Sequence, residues 1–381
     1  MSFLRYVAAL SCITMMVCLN PAAAAPSSAP LKVGIVGLVH GHAIGFFRGG
    51  ALTPAGGILH RPDVQIVGIV EPDQKLFDSY SRQLNLPASL HYPDIAHMVS
   101  AAHPQAVLVF TAPNEHRRVV EECAPLGVHV MMEKPLAITY ADALAMQAAA
   151  ERGKIHVLVD FETTWYASNM QAYQLLKDGK LGPIVKAVFR DGHPGPVKIR
   201  VQPEFLEWLR DPNRGGDGAL VDFGCYGADL MTWLMHGQAP KSVTAVTQRM
   251  QPELYPQVDD EADILLNYGN AIGIIGASWN WPFSIKQMDL YGRTGEAKAI
   301  DSTTIAIHEE HQPQPAQPGK APPLTAPYDD PIHYLSAVIN GQIQEGDDQP
   351  SLKTNVITTE ILDAAWRSSQ TGKTVELPLK P

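Results

Sequence analysis

Apolar runs that alternate with helical patterns constrain the fold of this chain more than any other feature. The runs in the first half are Leu31–Val36, Gln65–Val70, Ala106–Phe110 and Val128–Met132. The helical patterns between them cover Gln74–Leu84, Asp94–Ala101 and Glu115–Leu126. Strands that are apolar along their length and alternate with helices are typical of a parallel sheet covered on both faces. The sequence therefore predicts an α/β fold with an N-terminal Rossmann-type parallel sheet.

The pattern changes after His156, where closely spaced strands predict a second kind of sheet. These strands are Ile184–Arg190, Ser242–Gln248, Glu261–Asn267, Ala271–Trp279, Lys286–Tyr291 and Ala297–Ile300. The segment Asn267–Asn270 reads Asn-Tyr-Gly-Asn, which favours a hairpin turn. Short connections predict a C-terminal α+β domain with a large, mostly antiparallel open sheet.

The remaining segments complete the predicted organisation. Thr139 is a candidate N-cap for the helix Tyr140–Arg152, which leads out of the first domain. The predicted domains are 31–153 and 154–381. In the second domain, the proline-rich segment Gln312–Pro327 is predicted to be an exposed loop. Two helices follow, Asp330–Ile339 and Asn355–Ser369, and the second is placed to pack back on the first domain.

The N-terminus predicts export. Arg5 is the sole charged residue before Leu31, and it precedes the apolar stretch Tyr6–Leu19 and a run of small residues. This is the pattern of a secretory signal peptide, and we expect cleavage after Ala24, so that residues 1–24 are removed. An uncleaved anchor is the alternative, but the apolar stretch falls short of the roughly 20 residues of a spanning helix. The absence of a twin arginine favours a Sec-type route to the periplasm or the medium.

Composition narrows the class of protein. The chain has 381 residues, 45% of them hydrophobic, and a formal net charge of −10. An acidic chain of this kind argues against nucleic-acid binding, which needs a basic face. Signal cleavage leaves Cys123 and Cys225. Nothing in the sequence brings these two together, and we expect both to be buried free thiols.

A lysine is predicted at the carboxyl edge of the parallel sheet. The run Val128–Met132 is followed by Glu133, Lys134 and Pro135. Proline has a fixed φ and no N–H, so the chain leaves the sheet there. Open α/β sheets bind their ligands at this edge. A surface lysine before a turn is the alternative for an isolated Glu-Lys-Pro.

Three segments in order resemble the Gfo/Idh/MocA family, which includes glucose–fructose oxidoreductase and inositol dehydrogenase. Ala106–His116 is similar to the family's strand followed by Thr-Pro-x-x-x-His, with Ala112 inserted. Gly127–Pro135 carries the Glu-Lys-Pro, and Gly218–Tyr226 matches Gly-Ala-Leu-x-Asp-x-Gly-x-His/Tyr. The likeness covers nearly everything from Leu31 onward. It implies an NAD(P)-dependent oxidoreductase with a dinucleotide-binding first domain and a second domain for substrate and oligomerisation.

The turn after the first strand is a weak match to a dinucleotide fingerprint. Gly37 opens it, but Val39 and His42 occupy the positions of the second and third glycines. A Cβ at Val39 crowds the approach of a pyrophosphate, although Gly41 partly restores access. A tight turn without a ligand is the alternative. Two histidines, His40 and His42, do not complete a metal site, so we expect contact with cofactor or substrate and no metal.

The cofactor type depends on Glu71, which ends the second strand. A carboxylate there hydrogen-bonds ribose hydroxyls and repels a 2′-phosphate, which favours NAD over NADP. A solvent-facing glutamate is the alternative. With the resemblance, the predicted cofactor-binding residues are Gly37, Val39, His40, Gly41, His42, Glu71, Thr111, Pro113, Asn114, His116, Glu133 and Lys134.

Lys134, Tyr226 and Asp222 are the predicted catalytic residues. Removing a hydride from a carbinol carbon requires a base for the hydroxyl proton, and a lysine or tyrosine serves when its pKa falls toward neutrality. In the family, the lysine and the His/Tyr face the sugar. Asp222 lies four residues before Tyr226, on the same face of a helix. From there Asp222 would hydrogen-bond the substrate or orient Tyr226. The alternative is that Asp222 caps a helix Asp222–Met235.

The resemblance also implies which residues face the substrate: Asp160, Glu162, Trp165, Tyr166 and His193. Acids at 160 and 162 argue against an anionic substrate, because carboxylates repel anions. Trp279 and Trp281 are candidates for stacking on a sugar, although tryptophans on strands more often belong to the core.

The functional prediction is an exported oxidoreductase for a neutral sugar or polyol. It would retain its cofactor tightly and form a homodimer or homotetramer. An NAD-dependent glycosidase with transient oxidation is one alternative. A sugar-binding protein that has lost the cofactor is another, which Val39 favours and Lys134 with Tyr226 disfavours.

Overall fold

The computed structural model describes residues 29–216, 218–314 and 317–380. The predicted signal peptide, residues 1–24, lies outside these ranges. Of the helices they contain, none combines the length and the apolar character needed to cross a membrane.

A parallel sheet forms the first layer of the fold. In the described ranges it has six strands, in the order β3-β2-β1-β4-β5-β6, and every neighbouring pair is parallel. The strands are β1 (Leu31–Val36), β2 (Val64–Val70), β3 (His91–Tyr92), β4 (Ala106–Val109), β5 (His129–Glu133) and β6 (Val157–Asp160). The helices that follow them in the chain are α1 (His42–Arg48), α2 (Gln74–Leu84), α3 (Ile95–Ala102), α4 (His116–Cys123) and α5 (Tyr140–Gly153). The predicted Rossmann-type sheet is confirmed.

The sixth strand, β6, lies beyond residue 153, the last residue of the predicted first domain. Glu133 of β5 pairs in parallel register with Asp160 of β6. The four residues of β6 are all buried. A run this short carries too little pattern to be distinguished from a loop in the sequence.

The second sheet is larger and mostly antiparallel, as predicted. Among the described residues it has nine strands, in the order β14-β13-β12-β11-β7-β10-β9-β8-β15, and β7 with β10 is its parallel pair. The strands are β7 (Ile184–Gly192), β8 (Ser242–Gln248), β9 (Glu261–Asn267), β10 (Ile272–Ser278), β11 (Ile285–Gly292), β12 (Gly295–Ala299), β13 (Thr304–Glu309), β14 (Gly319–Lys320) and β15 (Val375–Glu376). The hairpin at Asn267–Asn270 joins β9 to β10. The short β14 lies inside the segment predicted as a loop.

Helices cover one face of the second sheet. The helices in this part of the described chain are α6 (Ala167–Lys177), α7 (Pro203–Leu209), α8 (Gly218–Asp222), α9 (Gly224–Leu234), α10 (Pro331–Ile339) and α11 (Leu352–Thr371), of which α7 packs on the turn after β1 and α10 on the core of the first sheet. Helices α8, α9 and α11 pack on the central strands. Helix α11 also contacts α5 of the first domain, where the Tyr140 N–H donates to the Asp363 carboxylate at 3.0 Å. Cys123 and Cys225 are buried free thiols, as expected.

The predicted single helix Asp222–Met235 is wrong. Helix α8 ends at Asp222, and α9 begins at Gly224. The Asp222 carbonyl accepts hydrogen bonds from the Lys134 ammonium at 3.0 Å and from the Cys225 thiol at 3.3 Å. Asp222 therefore does not cap α9; it closes α8 and faces the first domain.

A buried ion pair joins the two domains. The Lys134 Nζ lies 2.5 Å from Asp222 Oδ1, and the two side chains are 6% and 11% exposed. Burial lowers the pKa of Lys134, but the Asp222 carboxylate outweighs it and the net shift is upward. Burial likewise raises the pKa of Asp222, and Lys134 reverses that shift. Both groups are therefore charged across the neutral range.

Replacing Asp222 by asparagine should turn Lys134 from a group that stabilises the folded state into one that destabilises it. Breaking one half of a buried pair typically costs about 3–5 kcal/mol, and we expect a loss of that order at pH 7. Without its partner, buried Lys134 should have a pKa below the ordinary value of about 10.4. The unfolded state then binds more protons, so the variant should gain stability as pH rises from about 7 to 10.

Urea unfolding of wild type and Asp222→Asn across this pH range measures the effect. The gap in unfolding free energy should narrow with rising pH. Asp263→Asn, at an exposed position of β9, is the matched control and should follow the wild type. A gap that stays constant or widens would show that Lys134 does not depend on Asp222.

Candidate functional site

The carboxyl edge of the parallel sheet gathers the residues that the sequence singled out. Gly37 follows β1, Glu71 follows β2, Thr111 lies just after β4, and Lys134 follows β5. Carboxyl ends of parallel strands meet at one edge of the sheet, which is where open α/β folds bind ligands. The predicted placement of Lys134 at this edge is confirmed.

A cavity of about 480 Å³ lies along this edge. It brings together Gly37, Val39, Glu71, Thr111 and Asn114 from the predicted cofactor-binding set. Gly37 has φ of +78°, and a Cβ there would lie 2.5 Å from Thr111 Cγ2, so the turn requires glycine. The Thr111 hydroxyl is buried and has no hydrogen-bond partner within the described part of the chain. The cavity therefore fits a polar ligand such as a dinucleotide.

Glu71 is buried beneath this cavity. Its carboxylate accepts hydrogen bonds from the N–H of Leu38 at 2.8 Å and of Asp73 at 2.9 Å. Burial raises its pKa, against the effect of these two donors. The alternative of a solvent-facing glutamate is wrong, because Glu71 is 3% exposed. Its hydrogen bond to the N–H of Leu38 holds the fingerprint turn, and Glu71 also lines the cavity.

His40, His42 and Glu133 form a buried cluster behind the turn. The Glu133 carboxylate lies 3.0 Å from His42 Nδ1 and 3.8 Å from His40 Nε2. Their candidate ligand atoms all lie within 4.8 Å of one another, a spacing that a metal ion could bridge. However, His40 Nδ1 accepts the His42 backbone N–H at 3.2 Å. Neutral His40 then carries its proton on Nε2, the atom that a metal would need.

The His40 Nε2–H therefore faces Glu133 Oε2 at 3.8 Å, too far for a hydrogen bond, and neither atom has a hydrogen-bond partner among the described residues. Burial is the main cause that lowers the pKa of His40 well below the ordinary value, so it is neutral. Its ring packs on Phe205 and Trp208 of α7. His40 links the fingerprint turn to the second domain.

His116 and Pro113 support the site but are not among the residues that line the cavity of about 480 Å³. His116 Nδ1 lies 3.0 Å from the carbonyl of Pro135 and 3.2 Å from that of Leu136. Burial lowers the pKa of His116, so its neutral ring donates from Nδ1. This bond fixes the chain directly after Lys134. Pro113 is buried beside Gly215.

A second, smaller space, here called the inner cavity, has a volume of about 220 Å³. It is lined by Lys134, Asp222 and Tyr226, together with Gly41 and His42 of the turn. The Lys134 ammonium lies 5.2 Å from the centre of the Tyr226 ring. The predicted catalytic residues of the two domains therefore share one cavity with the end of the fingerprint turn.

The prediction that a neighbouring cation lowers the pKa of Tyr226 is wrong. Burial raises its pKa well above the ordinary value, and nearby carboxylates such as Glu162 add to the rise. Two ammonium groups, from Lys134 and Lys286, lie over its ring but do not offset burial. Lys134 and Tyr226 are therefore both protonated at neutral pH, and both are potential proton donors.

Trp279 holds the other oxygen of Asp222. Its indole Nε1 donates to Asp222 Oδ2 at 2.9 Å, and the side chain is fully buried. Trp279 therefore belongs to the core and orients Asp222; the stacking role is wrong for it. Trp281 is half-buried and packs near Gly192.

An outer cavity of about 420 Å³ adjoins the inner one. Glu162, Tyr166 and His193, from the predicted substrate-facing set, line it. Asp160 and Trp165 line neither cavity in the described ranges: the Trp165 indole donates to Asp160 at 2.8 Å, and both side chains are buried. Asp160 neighbours Glu133 in the sheet, and burial raises its pKa well above the ordinary value.

Several residues of the site carry no local sequence signal. Lys286 of β11 pairs with Glu162, lies 4.5 Å from the centre of the Tyr226 ring and lines both inner and outer cavities. Arg214 lines the dinucleotide cavity. Gln202 and Phe205 lie over Gly41, where a Cβ would meet Gln202 Oε1 at 2.7 Å. All lie outside the three motifs, although Arg214 precedes Gly218 by four residues, so only the fold shows that they belong to the site.

Comparison with known proteins agrees with this geometry. The chain is 25% identical over 307 residues to a D-apiose dehydrogenase of Paraburkholderia graminis, covering 75% of this chain and 76% of that protein. Its fold matches an aldose–aldose oxidoreductase of Caulobacter crescentus complexed with glycerol (TM-score 0.74, 22% identity, 91% of this chain and 100% of that one). It also matches an inositol dehydrogenase homologue of Azotobacter vinelandii complexed with NAD⁺ (TM-score 0.75, 18% identity, 92% and 98%).

Family models match both halves of the chain. The model described as an oxidoreductase family with an NAD-binding Rossmann fold matches residues 31–161. The model of the Gfo/Idh/MocA C-terminal domain matches residues 169–298. With an NAD-binding Rossmann domain and the family's C-terminal domain in one chain, this protein belongs to the Gfo/Idh/MocA family of oxidoreductases.

Proposed function

We propose that this protein is an NAD-dependent oxidoreductase that interconverts a carbinol and a carbonyl group on a neutral sugar or polyol. The observation that carries the proposal is the inner cavity. There, Lys134, Asp222 and Tyr226 meet Gly41 and His42 of the dinucleotide-binding turn. This arrangement favours catalysis over the alternative of a sugar-binding protein that has lost its chemistry.

The residues of the inner cavity divide the work of the reaction. NAD⁺ held in the dinucleotide cavity would supply the hydride acceptor for a carbinol carbon, and the hydroxyl proton would then need an acceptor of its own. Tyr226, which lines the inner cavity, is the group we assign to the proton: its hydroxyl donates to the carbonyl oxygen in reduction, and its phenolate, formed as pH rises, accepts the carbinol proton in oxidation. Lys134 binds the same oxygen and stabilises negative charge on it. Asp222, held by Trp279, keeps Lys134 charged and in place.

Protonation sets the pH dependence of each direction. The pKa values of Lys134 and Tyr226 are both raised, so both groups carry protons at neutral pH. A protonated pair is ready to donate to a carbonyl oxygen, which favours reduction near pH 7. Oxidation requires an unprotonated acceptor and should accelerate as pH rises above neutrality.

Glu71 supports NAD over NADP. It is the buried carboxylate in the dinucleotide cavity, at the end of β2 where the ribose hydroxyls are recognised in this fold. Arg214 lines the same cavity and is the group that would favour a 2′-phosphate. Arg118, also in the lining, is paired with Glu115 and Glu122.

Export and tight cofactor retention are linked proposals. The N-terminal pattern supports export to the periplasm or beyond, where free NAD is expected to be scarce. An enzyme that released reduced cofactor at each turnover would stall there. We infer that the cofactor stays bound and is regenerated in place by oxidising one substrate and reducing another.

The open face of the second sheet supports a homodimer or homotetramer. Helices cover the opposite face, while Val246, Leu265 and Ile272 are exposed apolar side chains on strands β8, β9 and β10. Contiguous exposed apolar side chains on a sheet mark an interface.

Removal of the Tyr226 hydroxyl should abolish most of the activity. Tyr226→Phe should lower kcat by about 10²–10⁴, the usual contribution of general acid–base catalysis, with little change in NAD affinity. Lys134→Ala should be at least as damaging. Steady-state assays with a sugar panel from pH 7 to 10 measure both effects. Near-normal turnover in both variants would refute the assignment.

Glu71→Gln should weaken the preference for NAD. Hydrogen bonds to a charged group contribute about 1.5–3 kcal/mol, so the ratio of NAD to NADP affinity should fall at least about tenfold. Titration of apo-protein with each nucleotide gives the ratio. Asp94→Asn, at a carboxylate of the same lining that pairs with His97 and with neither arginine, is the control. Tighter NADP than NAD binding by the wild type would instead assign the 2′ position to Arg214.

Protein isolated from its native cell envelope should retain nucleotide through extended dialysis. It should also show little activity with external NAD as the sole acceptor. Nucleotide released by heat denaturation and measured by absorbance checks the first point. Complete loss of nucleotide, with activity restored only by millimolar NAD, would contradict retention.

Light scattering at micromolar concentration should report a dimer or a tetramer. Leu265→Lys places a charge on the open face and should shift the mass toward the monomer. Leu126→Lys, at a 43% exposed leucine of the first domain, is the matched control and should leave the mass unchanged. A wild-type monomer would exclude this interface.

A further inference from the structure

The inner cavity is too small to be the whole substrate site. Its volume of about 220 Å³ lies below the ~300–1,000 Å³ of typical ligand pockets. The outer cavity, at about 420 Å³, shares His193, Phe223 and Lys286 with it. A ligand held against Lys134 and Tyr226 can therefore extend outward past these three side chains.

The wall of the outer cavity is rich in groups that pair with hydroxyls. It includes the Glu162 and Asp301 carboxylates, the Gln287 amide, and the hydroxyls of Ser284 and Ser302. Such convergent polar groups fix the orientation of a ligand. They match a molecule that carries several hydroxyl groups.

The two carboxylates of this wall are ionised. The pKa of Asp301 is lowered to about 2, first by the N–H of Thr303 and further by Thr304. Burial opposes the ionisation of Glu162, but Lys286 and the Tyr166 hydroxyl outweigh it and lower the pKa to about 2.

Charge excludes an anionic occupant. The Lys286 ammonium is already paired with Glu162, and Asp301 remains as a second anion in the wall. A phosphate or a sugar acid would meet negative charge there. The cavity thus suits a neutral polyhydroxylated group.

An exposed aromatic side chain stands at the rim. Phe283 is 64% exposed although it belongs to the lining of this cavity. Apolar aromatic surface beside a few polar groups is typical of a ligand pocket, and covering it by a ligand removes it from water. The C–H face of a sugar ring provides such a cover.

The junction of the cavities offers hydrogen-bond donors. His193 Nδ1 accepts the N–H of Gly195 at 3.0 Å, so the neutral ring carries its proton on Nε2. Burial lowers the pKa of His193, which keeps it neutral. The Lys286 ammonium stands at the same junction. Both donors suit an oxygen that joins two rings.

We propose that the outer cavity binds a second sugar unit, so that the substrate is a neutral glycoside of at least two units. The ring that reacts lies in the inner cavity, and its neighbour lies between Phe283 and the polar wall. This inference rests on the function proposed for the inner cavity, and it narrows the substrate class from any neutral sugar or polyol to a glycoside.

Matched sugar pairs test the proposal. Glucose is compared with maltose and cellobiose, and galactose with melibiose and lactose, in both kinetic assays and calorimetric binding to the full-length mature protein. In at least one pair the disaccharide should exceed its monosaccharide at least tenfold in kcat/KM or in affinity. Phe283→Ala and Gln287→Ala should each reduce that ratio at least fivefold. Trp366→Ala, at a 48% exposed aromatic residue of α11, should leave it unchanged.

The outcomes separate this inference from the proposed function. Disaccharides that bind no better than their monosaccharides in every pair would overturn the second-sugar site, whatever the turnover. The second-sugar site would also be overturned if both Phe283→Ala and Gln287→Ala left the ratio of disaccharide to monosaccharide unchanged. Tight disaccharide binding that Phe283→Ala weakens, without oxidation of any sugar, would support the site and refute the proposed reaction.

Discussion

The buried ion pair between Lys134 and Asp222 is the interaction on which the rest of the structure depends. It joins the carboxyl edge of the parallel sheet to the end of α8, across two domains. A lysine buried without a partner would lose its proton, and a lone aspartate in the same place would gain one. Each group keeps its charge because the other is there. Trp279 and the Asp222 carbonyl hold the pair in one geometry, and this geometry places the ammonium beside Tyr226.

Burial decides the protonation of most groups around this pair. It keeps His40 and His116 neutral, and it keeps the protons of Asp160 and Tyr226 in place. Neutral histidines have a defined donor nitrogen and a defined acceptor nitrogen, and in His40 the acceptor Nδ1 holds the N–H of His42. Apart from its ion pairs, this centre therefore contains few charged groups. This pattern supports the proposal of a neutral substrate, because an anion would meet Glu162 and Asp301.

The site depends on both domains in equal measure. The first domain supplies the turn at Gly37, the carboxylate of Glu71 and the ammonium of Lys134. The second supplies Tyr226 with Asp222, and α7 covers the turn at Gly41. In the proposed function, the inner cavity acts on the reacting carbon and the outer cavity contacts the rest of the substrate, and the two cavities share His193, Phe223 and Lys286.

The sequence by itself determined the parallel sheet, because its strands are apolar along their length, and the position of Lys134, because a strand, a lysine and a proline follow one another. It also determined the hairpin at Asn267–Asn270. These features depend on residues that are neighbours in the chain. The short strand β6 escaped prediction because four residues carry too little pattern.

Only the tertiary structure decided which side chains meet. Lys134 and Asp222 are 88 positions apart, and Glu162 and Lys286 are 124 apart. The break between α8 and α9, the burial of Trp165 and Trp279, and the raised pKa of Tyr226 all follow from such distant contacts. Desolvation and ion pairing act through space, and a linear pattern records neither the distance between two groups nor their exclusion from water.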